Sequence, residues 1–143
     1  MLKGIPSILQ PELLKVLAEM GHGDEIVIGD GNFPAASMGK RCIRCDGHDV
    51  PKLLDAILRV LPLDTYVDAP VSLMQVTPGD PVGEPPVWKT FAEIIERREP
   101  GTKIQQIERF AFYERAKNAY ATIQTGETAL YANILLKKGV VKE

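Results

Sequence analysis

The sequence predicts an α/β fold: one layered α/β/α domain over residues 1–143, built on a largely parallel central sheet with a mixed edge. Three observations lead there. Segments with apolar residues at helical spacing alternate with short apolar runs of strand length. Those runs, such as 25–28 and 71–76, are too apolar for burial on one face and suit a sheet covered on both sides. The alternation breaks only near the C-terminus, where two strands follow one another. The length of 143 residues fits one domain with a real core.

In order along the chain, residues 11–20 carry apolar side chains at 13, 14, 16, 17 and 20, leaving Lys15 and Glu19 to solvent. Pro11 suits the first turn of this helix and Gly21 its end. Residues 25–28 form the first strand and 41–45 the second. Asp49 caps a helix whose buried stripe is Leu53, Leu54, Ile57, Leu58 and Leu61, and Pro62 stops it. After a connection at 63–70 comes the strand 71–76. The Pro/Gly-rich stretch 78–86 is a surface loop, since the remaining chain is too short for a second core. A helix at 87–98 ends at Pro100-Gly101. A strand at 103–108 has Arg109 at its exit, and a short helix occupies 112–118. Strands at 120–124 and 131–137 flank the turn Thr125-Gly126-Glu127.

Composition excludes several classes. A net charge of −2 with interspersed signs gives no reason to expect nucleic acid or an anionic membrane as partner. No run approaches the roughly 20 apolar residues of a membrane span. The first twenty residues lack the apolar core of a secretory signal, and two cysteines make no disulfide framework, so a cytoplasmic setting is expected. On a strand, Cys42 and Cys45 point to opposite faces, and no further cysteine pair completes a zinc site. They are read as small buried hydrophobes, with no metal and no cofactor expected.

The chemistry-bearing residues cluster around the first strand. His22, between Gly21 and Gly23, enters it, and an imidazole titrates near neutral pH. A helix-terminus histidine favoured by the helix dipole is the bland alternative. Asp30 leaves the strand at its carboxyl end, the place where open α/β sheets bind ligands, although an Asx-turn would also use it. Four to five strand residues span roughly 15 Å, so His22 and Asp30 meet only if the turn folds back or a second subunit supplies one of them. Arg109, followed by aromatics that include Tyr113, reads as a guanidinium fork beside a ring wall for a sugar, or as core aromatics with a surface ion pair. Tyr131 and Asn133 at the start of the last strand share a side and offer the donors and acceptors sugar hydroxyls require.

The stretch PELLKVLAEMGHGD at 11–24, RFAFYER at 109–115, and TGE at 125–127 with YANILLKKGV at 131–140 resemble the RbsD/FucU family of sugar mutarotases. Similarity runs over nearly the whole chain, with 60–105 matching in outline. The resemblance implies an RbsD-like fold and an isomerase that interconverts the anomers of a monosaccharide, with L-fucose the nearest substrate and no cofactor. It implies His22 as proton donor, and Asp30, Arg109, Tyr131, Ala132 and Asn133 as sugar-binding positions. Tyr113 and Asn32 are additional candidates. It also implies a homo-oligomeric ring, commonly a decamer, with the site at a subunit interface. Arg109-Phe110 favours the fucose branch, where ribose members tend to have histidine. One departure stands out: the loop Gly31-Asn32-Phe33 has asparagine where fucose members often carry a histidine. A sugar-binding protein of the same fold without catalysis is the rival reading.

Overall fold

The computed structural model describes all 143 residues. Five helices and six strands follow one another as α1 (Pro11–Glu19), β1 (Glu25–Gly29), α2 (Ala35–Met38), β2 (Cys42–Cys45), α3 (Val50–Leu58), β3 (Val71–Met74), α4 (Val87–Arg98), β4 (Ile104–Ile107), α5 (Arg109–Asn118), β5 (Ala121–Thr125) and β6 (Ile134–Lys137). The strands form one sheet in the order β2-β5-β1-β6-β3-β4.

All neighbours are parallel except β6, which runs antiparallel to both β1 and β3. The reversed strand therefore lies inside the sheet, not at the mixed edge expected from the sequence. The reason is connectivity. The loop after β5 is too short for a crossover helix, so the chain must return antiparallel, and the open slot between β1 and β3 receives it.

Side-chain alternation divides the interior in two. Ile26, Ile28, Val71, Leu73, Ile134 and Leu136 face α1, α3 and α4 in a cluster of 28 buried residues that includes Leu13, Leu54, Ile57 and Phe91. Val27, Met74 and Leu135 face the other way, onto Phe33 from the loop after β1, Ala35 from α2, and Phe112 and Ala116 from α5. This is the expected α/β/α layering. Each fully buried Leu, Ile or Phe on these faces contributes about 2 kcal/mol of transfer free energy.

Local chemistry sets the helix ends. Asp49 caps α3 as expected, its Oδ1 accepting from Lys52 N at 2.8 Å. Lys138, past the end of β6, donates to Leu17 O at 2.9 Å and so closes the C-terminus of α1. Helix α5 begins three residues before the expected 112, because Glu108 caps it: its Oε2 accepts from Phe110 N at 2.9 Å and Ala111 N at 3.0 Å. Arg109 is thus in a helical first turn. Residues 131–133 lead into β6 without belonging to it, and α2 went unforeseen because four residues carry no readable period.

The thiols sit as the alternation predicts, Cys45 in the larger cluster and Cys42 against the smaller one, both free. Burial pushes the Cys45 thiol up. No three His, Cys, Asp or Glu side chains gather where a metal ion would fit. No helix is long and apolar enough to cross a membrane.

Candidate active site

A cleft of about 450 Å³ opens at the carboxyl ends of the parallel strands, lined by Asp30, Asn32, Phe33, Met74, Thr77, Asp80, Arg109, Tyr113, Leu130, Tyr131 and Asn133. The reversed strand explains its composition. Because β6 runs against β1, the residues that precede β6 arrive at the end of the sheet where β1 finishes. Tyr131 and Asn133 are thereby delivered beside Asp30, about a hundred residues away in sequence.

Asp30 is held from every side. It is 5% exposed. Its backbone N–H donates to Asn133 Oδ1 at 2.9 Å, its Oδ1 accepts from Asn32 N at 3.0 Å, and its carbonyl accepts from Gln124 Nε2 at 2.8 Å. Burial pushes its carboxyl above the usual range, against the N–H groups of Asn32, Ala132 and Phe33 and the Asn133 amide, which favour the charged form. A buried carboxylate carried at a cost inside a cleft marks a site. The Asx-turn reading is realised here, one oxygen folding the loop, and the same carboxyl lines the cleft. Gly29 is required below it: a Cβ there would lie 2.7 Å from the Phe33 ring.

Helix α5 supplies the cationic wall. Arg109 and Tyr113 are one turn apart, and Arg109 Nε donates to Tyr113 Oη at 3.2 Å. The Phe33 ring lies 5.9 Å from that of Tyr113 and 5.8 Å edge-on from that of Phe112. The helix is anchored below through Arg115, which pairs with Glu25 and donates to Ser72 Oγ at 2.9 Å.

Tyr131 is the only non-glycine residue with positive φ, at 56°. That conformation costs an L-residue roughly 1–2 kcal/mol. Trp88 Nε1 donates to its carbonyl at 3.0 Å and Thr77 N to its hydroxyl at 3.2 Å. Ala132 is fully buried and contributes backbone only.

His22 is elsewhere. It stands at the opposite end of β1, about 15 Å along the strand from Asp30. The turn does not fold back: Gly23, at φ 86°, sends the chain into β1, and its N–H donates to Lys138 O at 2.8 Å. The imidazole Nε2 lies 3.0 Å from Asp64 Oδ1, and its ring is 5.1 Å from that of Tyr66. Asp64 is 4% exposed while His22 is 46% exposed. The Tyr66 N–H, and then His22, hold the Asp64 carboxyl below the usual range. This histidine, hydrogen-bonded to Asp64, faces outward with Nδ1 uncommitted. Asp64 lies in the 63–70 connection, where no sequence pattern singled it out; the pairing depends on a tertiary contact 42 residues apart.

One chain therefore unites seven of the eight candidate residues at one cleft, through side chains or backbone, and leaves His22 outside it. Asp80, Thr77, Met74 and Leu130 also line the cleft and were not foreseen. In the sequence, the loop 78–86 reads only as a surface connection.

Comparison with known proteins agrees with this architecture. The family model described as the RbsD / FucU transport protein family matches residues 3–141. The chain is 51% identical to the fucose mutarotase of Mus musculus, over 98% of this chain and 95% of that one. It superposes on FucU from Bifidobacterium longum with a TM-score of 0.94 at 56% identity, covering 98% of this chain and all of the other. The fucose mutarotase of Streptococcus pneumoniae, solved in complex with L-fucose, superposes with a TM-score of 0.92 at 53% identity, over 99% and 100% of the two chains. The chain belongs to the RbsD/FucU family.

Proposed function

We infer that this protein is a fucose mutarotase: an isomerase that interconverts the α and β anomers of L-fucose. The observation that carries the reading is the cleft. A buried carboxylate, a guanidinium, a phenol and a carboxamide converge on a volume suited to a monosaccharide, beside the apolar walls of Phe33, Met74 and Leu130. Full-length similarity to fucose mutarotases supports the substrate.

The reaction takes one proton from the anomeric hydroxyl and places one on the ring oxygen. The C1–O5 bond breaks, the open aldehyde rotates about C1–C2, and the ring closes on the other face of the carbonyl. His22 is the proton donor. Asp64, ionised at neutral pH, accepts from Nε2 and so directs Nδ1 outward, where a protonated ring donates and a neutral one accepts. Such a group contributes about 10²–10⁴-fold. Asp30, Arg109, Tyr131, the Ala132 backbone and Asn133 hold the sugar so that only the anomeric centre moves, with Tyr113 and Asn32 at the margin. A binding protein without catalysis would have no use for an outward imidazole poised on a buried carboxylate.

The two halves of this machinery belong to different subunits. Phe110 and Leu130 are exposed around the cleft, and Tyr66 and Val67 are exposed around His22. A head-to-tail contact that buries one pair against the other carries His22 of one chain to the cleft of the next. Repeated with a closing rotation, it gives a ring. A decamer and a cytoplasmic setting complete the proposal.

Saturation-transfer NMR on L-fucose tests it. The wild type exchanges magnetisation between anomers far above the buffer rate, and His22→Ala returns exchange to that rate with folding intact. Unchanged exchange in the variant would remove His22 from the mechanism.

A further inference from the structure

The loop between β3 and α4 does more than connect them. Its Asp80 carboxylate divides its two oxygens. Oδ1 accepts from Val82 N at 3.1 Å and folds the loop on itself, between Gly79 and Gly83, both at positive φ. Oδ2 accepts the hydroxyl proton of Tyr131 at 2.7 Å. The same phenolic oxygen accepts from Thr77 N at 3.2 Å, and Trp88 Nε1 donates to the Tyr131 carbonyl. Three residues from one loop-helix segment thus hold a residue whose backbone is left-handed and whose ring lines the cleft. A strained residue that its surroundings over-determine is a sign of preorganisation at a site.

A phenol has one hydrogen to donate. Here that hydrogen is committed to a carboxylate, which can only accept. Toward the cleft, Tyr131 therefore presents a lone pair and no proton.

We propose that Asp80 is a positioning residue that fixes the polarity of the Tyr131 hydroxyl, so that Tyr131 accepts a hydrogen bond from a sugar hydroxyl and cannot donate one. This rests on the mutarotase reading of the cleft. It divides the labour within the site. Arg109 is a pure donor and grips sugar oxygens, whereas Tyr131 selects at one ring position for a group that carries a hydrogen. A site built on that demand rejects an acceptor-only group at the same position, because two acceptors then face each other.

Asp80→Asn is the informative change because it keeps the shape and the turn. The amide oxygen remains on the Val82 N–H, which needs an acceptor, so the amide N–H turns toward Tyr131 and releases the phenolic hydrogen into the cleft. The experiment measures KM and kcat for L-fucose exchange, together with thermal unfolding, in the wild type, Asp80→Asn, Tyr131→Phe and the double variant. It is repeated with L-fucose monofluorinated at C2, C3 or C4. In the wild type one of the three fluorosugars binds about tenfold worse than L-fucose, the loss of about one hydrogen bond. Asp80→Asn abolishes the discrimination against that fluorosugar and changes KM for L-fucose by less than about tenfold, because a sugar hydroxyl can also accept the released phenolic hydrogen. The double variant is no worse than Tyr131→Phe. The proposal is overturned if Asp80→Asn binds L-fucose and all three fluorosugars as the wild type does, or if the two substitutions act additively. A wild type that does not exchange L-fucose defeats the substrate reading itself, and this proposal with it.

Discussion

Asp30 follows β1 and Asn133 precedes β6, two strands that run in opposite directions, and the Asp30 backbone N–H donates to Asn133 Oδ1 at 2.9 Å. That bond ties the exit of β1 to the entry of β6 and sets the floor of the cleft. Asn133→Ala leaves a buried N–H without a partner, which costs about 1–3 kcal/mol. Urea unfolding should show a loss of that size together with a raised KM for L-fucose. A variant of wild-type stability would mean that the bond does not support the floor.

Asp30→Asn should separate stability from function. Burial raises the Asp30 carboxyl, so the folded chain holds that proton more tightly than the unfolded one. Its contribution to stability accordingly falls as pH rises from the ordinary value of 3.8 through the raised one, and stays low at neutral pH. The amide keeps an acceptor for Asn32 N and removes the buried charge. Calorimetry at pH 7 should find a Tm higher by a few degrees, and L-fucose binding should weaken at least about tenfold. A lower Tm with intact binding would refute the assignment.

The pair of helices on the larger core face carries the opposite pH signature. Asp55 on α3 takes a fork from Arg98 on α4, at 2.8 and 3.1 Å, and a further bond from Arg97 at 3.0 Å. Arg98 first, and then Arg97, hold its carboxyl down to about 2. The stabilisation is fully present above the ordinary value of 3.8 and is lost as pH falls toward 2. Discounted for partial exposure, it amounts to about 1 kcal/mol. Denaturant titrations of wild type and Asp55→Asn at pH 6 and pH 2.5 should differ by about that amount at the higher pH and by only about a third of it at the lower.

Much of this was legible in the chain because the relevant forces are local. The apolar periods placed α1, α3 and α4, Asp49 announced its own cap, and the fully apolar runs required a sheet covered on both sides. Alternation on a strand also separated Cys42 from Cys45 correctly. What escaped is non-local. The position of β6 inside the sheet follows from which slot is open, not from its own residues. The start of α5 depended on Glu108, whose capping role is invisible while it reads as the end of a strand. The same holds at the site. Asp30, Arg109, Tyr131 and Asn133, which line the cleft, were singled out by residue type and by family resemblance, whereas Asp64 and Asp80 are hydrogen-bonded to partners 42 and 51 residues away. Nothing in the neighbouring sequence of either aspartate signals its partner.

The central claim is that one chain's His22 serves another chain's cleft, and subunit mixing tests it most directly. His22→Ala keeps a complete cleft, and Arg109→Ala keeps a complete His22–Asp64 pair. Co-expressed, the two form some interfaces in which an intact imidazole meets an intact cleft. Each variant alone should exchange L-fucose anomers at the buffer rate, and the co-expressed assembly should recover a substantial fraction of wild-type exchange by saturation-transfer NMR. A mixed assembly that stays at the buffer rate would contradict the shared site.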